Sequence, residues 1–104
     1  MTKSQVFFTD LRTSPGLSLP DKLGRLVKAA GLDKIEFDKK LTALKIHFGE
    51  PGNLAYIRPN YPAKIVSILK ELGSIPFLTD TNTLYHGRRS NAPDHIEAAF
   101  DRRP

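Results

Sequence analysis

Leu41-Thr42-Ala43-Leu44-Lys45-Ile46-His47-Phe48-Gly49-Glu50 decides how the rest of the chain is read. Eight residues of β-prone and apolar character end at a glycine and an acid. Alternation puts Ala43, Lys45 and His47 on one face and Thr42, Leu44, Ile46 and Phe48 on the other. A lysine and a histidine near the carboxyl end of such a segment point to a strand that delivers polar groups to a loop rim. The turn that follows, Gly49-Glu50-Pro51-Gly52-Asn53, is rich in residues that break regular structure.

Working outward, Gln5-Val6-Phe7-Phe8 reads as an earlier short strand and Ile75–Leu78 as a later one. Pro76 restricts the later strand to an edge or to its first residues. A helix over 19–30 is marked by Ser18 as cap, Asp21 three residues on, and Leu23, Leu26, Val27 and Ala30 at helical spacing, with Gly31 beyond its end. Pro59 or Pro62 opens a second helix, where a missing N–H costs little. Its buried stripe is Ile65, Ile68, Leu69 and Leu72, and Gly73 ends it. Asn91 caps a third helix whose expected inner face is Ala92, Ile96, Ala99 and Phe100. The order βαβαβα implies a small parallel sheet in a three-layer, Rossmann-like α/β fold. Residues 1–104 read as one α/β domain. Three parallel strands leave two open edges, so the expectation is part of a larger fold or a homo-oligomer that pairs its edges.

In a parallel sheet the strand exits share the ligand-binding edge. The candidates there are Lys45, His47, Glu50, Asn53, Asp80, Thr81, Asn82 and Thr83. His47 with Asp80 is the candidate metal or acid–base pair. Arg88 and Arg89, beside the start of the third helix, form a candidate anion site, and Arg58 before the second helix is another. A small anionic ligand or a divalent metal would suit these groups. His86 and His95 read as solvated.

Composition excludes several classes. The chain has 104 residues and no cysteine, so disulfides, a thiol nucleophile and a cysteine-held zinc or iron–sulfur cluster are absent from it. The net charge is +5, but residues 1–52 carry nine Lys/Arg against six Asp/Glu and residues 53–104 seven against five. That even spread, with only the doublets Lys39-Lys40, Arg88-Arg89 and Arg102-Arg103, argues against dedicated nucleic-acid binding. No apolar run suits a membrane span, and the amino terminus lacks the apolar core of a secretory signal, so a cytoplasmic location is the default expectation. No phosphate-cradling Gly-x-x-x-x-Gly-Lys-[Ser/Thr], dinucleotide Gly-x-Gly-x-x-Gly, serine-nucleophile elbow or zinc-protease helix occurs, so no reaction is assigned.

Lys45-Ile46-His47-Phe48-Gly49-Glu50, Gly52-Asn53, Ala55-Tyr56-Ile57-Arg58-Pro59, Glu71-Leu72-Gly73 and Thr79-Asp80-Thr81-Asn82-Thr83-Leu84-Tyr85 occur in that order. Arg89-Ser90-Asn91-Ala92 and Asp94-His95 follow. This series resembles the amino-terminal part of the domain of unknown function 362 family, over Val6 to about Ala98. The resemblance implies a prokaryotic cytoplasmic protein of an uncharacterised family, many members of which carry a ferredoxin-type segment holding four-iron four-sulfur clusters. With no cysteine here, such a cluster would belong to a family region outside this chain. The motif-matched positions are Lys45, His47, Glu50, Asn53, Arg58, Asp80, Thr81, Asn82 and Thr83.

Overall fold

Two parallel strands, β1 (Leu41–Lys45) and β2 (Ile75–Thr79), form the sheet in a computed structural model that describes residues 3–50 and 52–101. Their register pairs Leu41 with Ile75, Ala43 with Phe77 and Lys45 with Thr79. Parallel neighbours need a crossover, and α2 (Asn60–Glu71) supplies it. Two further helices complete the chain, α1 (Leu19–Ala29) before the sheet and α3 (Ala92–Asp101) after it; a single 3₁₀ turn at Leu32–Lys34 links α1 to β1. The architecture is mixed α/β. Pro51, within the expected turn, and the Arg102-Arg103 doublet lie outside the described residues.

The helices form where the local chemistry directs. At α1, Ser18 Oγ accepts from the Asp21 N–H, and the Asp21 carboxylate accepts from the Ser18 N–H, a reciprocal cap. Bonds from Ser18, its backbone N–H first, hold the Asp21 carboxyl below its usual range. Asn91 caps α3 by accepting from the Asp94 N–H at 3.0 Å. Pro59 stands at the cap of α2 and Pro62 sits buried in its first turn.

α1 packs on α2, and α2 on β2. Gly24 makes the first contact possible: a Cβ there would lie 2.9 Å from Lys64 Cε and 3.5 Å from Ile68 Cδ1. Ile68 and Leu69 of α2 are buried, as is Ala98 of α3, while Ile65 and Leu72 are half-buried. Ser74, at the entrance to β2, is buried beneath Thr42; it shares a hydrogen bond with the Thr42 hydroxyl and donates to the Lys40 carbonyl.

Two expectations are corrected. Gln5–Phe8 is not a strand: it lies outside the sheet, with Val6 90% and Phe8 86% exposed. The chain just beyond it is held on α1, where Lys22 Nζ reaches the Asp10 carboxylate (2.6 Å) and the carbonyls of Asp10 (2.8 Å) and Arg12 (2.7 Å). Beside that anchor, the segment makes no ladder bond to either strand among the described residues. The sheet therefore has two strands rather than three, and no three-layer arrangement forms among the described residues. The inner face of α3 is also shifted: His95 and Ala99 are half-buried beside buried Ala98, whereas Ile96 and Phe100 remain mostly exposed.

Candidate functional site

β1 and β2 end side by side, and the chain beyond each turns over their carboxyl ends. After β1, Gly49 adopts φ +91°, a conformation that side chains disfavour, and a Cβ would meet Tyr56 Cβ at 3.0 Å. The bend brings Glu50 back over the sheet end. After β2, Asp80 accepts from the Thr81 N–H at 2.7 Å, which fixes its carboxylate.

Arg89 enters between these two acids and is 3% exposed. Its Nη2 donates to Asp80 Oδ2 at 2.5 Å and to the Thr81 carbonyl at 3.3 Å; its Nη1 donates to Glu50 Oε1 at 2.8 Å. The guanidinium lies over the Phe48 ring, 4.7 Å from the centroid. It also contacts two imidazoles, with Nη1 3.1 Å from His47 Nδ1 and Nε 3.3 Å from His95 Nδ1. Arginine has donors only, so both Nδ1 atoms accept and each neutral ring carries its proton on Nε2. Segments distant in sequence are thereby joined at one cation.

Asp80 is 3% exposed at its side chain. Burial opposes its charge, but the Thr81 N–H, then Arg89 and Lys45, outweigh that and hold its carboxyl below the usual value. Glu50 is lowered too, first by the Tyr85 hydroxyl, which donates to Oε1 at 2.7 Å, and also by Arg89. The same bond raises the Tyr85 phenol. Lys45 Nζ lies 3.4 Å from Asp80 Oδ1, and His47 Nδ1 3.9 Å from Asp80 Oδ2; these two side chains are 59% and 53% exposed. Lys45 and His47 are thus neighbours above a platform of paired charges.

The other expected residues have different places. Thr81 contributes backbone only, and Thr83 donates its N–H to the Arg89 carbonyl at 2.8 Å and its hydroxyl to the Tyr85 carbonyl at 3.0 Å. Asn53 shapes the turn, its Oδ1 accepting from the Ala55 N–H at 2.7 Å. Asn82 is exposed. The paired-arginine anion site is not formed: Arg89 is spent on Asp80 and Glu50, Asn91 occupies the start of α3, and Arg88 reaches Asp101 at 2.6 Å instead. Asp101 raises the Arg88 guanidinium pKa. Arg58 lines a separate open depression of about 610 Å³ with Ser14, Leu17, Asn60 and Tyr61, sharing no residue with the Arg89 cluster.

His47 and Asp80 do not fit a metal as they stand. Both acceptors are directed at the guanidinium, and no group of three or more His, Asp or Glu is placed to hold an ion among the described residues. Nor, among them, is any helix long and apolar enough to cross a membrane.

Three participants were missed in the sequence: Phe48, Tyr85 and His95. His95 shares a helical face with Ala98, three residues on, and that spacing is the signal that would have turned it inward. Its ring packs on Phe48 with centroids 4.9 Å apart. Beside these rings a crevice of about 490 Å³ opens between the sheet and α3, walled by Ile46, Leu78, Ile96 and Phe100 with Asp80 among its polar lining.

No protein-family model, curated protein or solved structure matches this chain.

Proposed function

We propose that this chain is a binding module for a small anionic molecule, a carboxylate or phosphate, held at the carboxyl ends of β1 and β2. Lys45 supplies the cation and His47 the directed donor. One observation carries this reading: both side chains are more than half exposed while the carboxylates beneath them are already paired with Arg89. Lys45 has three donors and only one short acidic partner, so it retains capacity for an incoming oxygen. With its Nδ1 accepting from Arg89, His47 offers Nε2–H outward. The platform holds both groups in advance, which lowers the ordering cost of binding.

The second part of the proposal concerns kinship: the chain is the amino-terminal α/β portion of the iron–sulfur-associated family its motif order resembles. Support for that part is the order and wording of the blocks from Lys45 to His95, most of which build or flank the Arg89 cluster. No cluster would be held here. A three-layer, Rossmann-like arrangement belongs to the same proposal, with family strands outside this chain widening the sheet.

A thermal-shift series with inorganic phosphate, nucleotides and small carboxylates tests the binding reading. The expected result is a rise in melting temperature that disappears in Lys45→Ala and His47→Ala but survives in Arg58→Ala. A flat response to all three classes, or a shift lost only in Arg58→Ala, would sink it. The coding DNA beyond Pro104 tests the kinship: a cysteine-rich continuation supports it, and unrelated sequence counts against it.

A further inference from the structure

The strand ladder is asymmetric in what it leaves open. In a parallel pair each strand uses alternate residues toward one neighbour. The Lys40 carbonyl accepts from the Ile75 N–H at 2.8 Å and the Ile46 N–H donates to the Thr79 carbonyl at 2.9 Å, so even-numbered residues of this stretch face β2. The backbone groups of Leu41, Ala43 and Lys45 therefore point outward from the free edge of β1. On β2 the outward residues are Pro76 and Leu78. Pro76 has no N–H, which blunts that edge. Only β1 offers an intact row of donors and acceptors.

An unused strand is present in the same chain. Gln5-Val6-Phe7-Phe8 is apolar and β-prone, stands outside the sheet, and has no backbone hydrogen-bond partner among the described residues. In the single chain its own β1 edge is free at the same time, and the two do not pair. The sheet face carrying Leu41, Ile75 and Phe77 is also largely open to solvent. Extended, the residues before Asp10 can reach about 20 Å from their anchor on Lys22.

We propose that Gln5–Phe8 of one copy adds to the outer edge of β1 in a second copy, reciprocally, to form a closed two-fold dimer. Each exchange extends a two-stranded sheet to three strands and takes Val6 and Phe8 out of water. The blunted β2 edge keeps the assembly from growing further in that direction.

Light scattering across a concentration series, combined with amide hydrogen exchange, tests this. Phe7→Pro removes a ladder N–H from a segment that has no strand role in the single chain, and unchanged circular dichroism confirms that the fold survives. The expected result is a concentration-dependent dimer with slowed exchange at Leu41, Ala43 and Lys45, both lost in Phe7→Pro. A monomer at every concentration overturns the proposal. So does a dimer that persists unchanged in Phe7→Pro, or slow exchange at β1 in a species that stays monomeric, which would mean closure within one chain.

Discussion

The carboxyl ends of the strands and the amino-terminal segment reverse the usual rule of inside and outside. At the strand ends a guanidinium and a carboxylate are each only 3% exposed. In the other region Val6 and Phe8 remain almost entirely in solvent. What separates them is partner supply rather than polarity. Arg89 finds Asp80, Glu50, the Thr81 carbonyl, two imidazoles and an aromatic face within reach, so its desolvation is compensated. Val6 and Phe8 join no apolar surface among the described residues, where the buried hydrophobic core is only Ile68, Leu69 and Ala98.

The contrast breaks most severely at Arg89. Arg89→Ala leaves the buried Asp80 carboxylate with only the more exposed Lys45 as cation and deprives Glu50 of its own, and the expected loss is about 3 kcal/mol in denaturant unfolding. For a small domain that is a large share of the total. Phe8→Ser, which takes an apolar group from an exposed position, should leave the midpoint of the single chain unchanged. A loss at Phe8 comparable to that at Arg89 would show that the two regions do not differ as described.

Acid should reproduce part of the Arg89 effect. Asp80 and Glu50 titrate below their ordinary values of 3.8 and 4.5 in the folded chain, so the unfolded chain binds more protons. Their contribution is whole above those values and is lost as pH falls through the lower, folded values. Unfolding midpoints measured from pH 6 downward should therefore decline at the acid end. Tyr85→Phe removes the leading cause at Glu50 and should make that decline shallower.

Gly49→Ala should cost about 1–2 kcal/mol, because a side chain at φ +91° is strained and also presses on Tyr56. Proton NMR of His47 and His95 in that variant would show whether the bend sets the cluster. At the bottom of the scale, Arg88→Ala removes an exposed pair with Asp101 and should leave the unfolding midpoint within error. Adjacent arginines would then differ from a loss of several kcal/mol to nothing measurable.

Much of this layout could be read before folding. Helix boundaries were marked by Ser18 with Asp21, by Gly31, by Pro59 and Gly73, and by Asn91, since caps and breakers act over a few residues. Period-two alternation placed Lys45 at a strand end, though β1 stops there and His47, expected within the strand, lies two residues beyond it; loop chemistry placed Asp80 just past the end of the next. Their meeting at Asp80 follows from parallel pairing. The buried role of Arg89 was not legible, because a guanidinium before a helix cap looks the same whether it faces a ligand or two acids. Phe48, Tyr85 and His95 escaped for a related reason: each gains its role from a contact spanning many residues or a helix turn.

The sequence by itself determined the helices, the two paired strands and the polar character of their exits, for these depend on local backbone preference and short-range periodicity. Only the tertiary structure decided that Arg89 is consumed within the molecule and that Gln5–Phe8 stays unpaired. Both outcomes depend on which groups converge in space, and on whether their contacts outweigh desolvation and chain entropy.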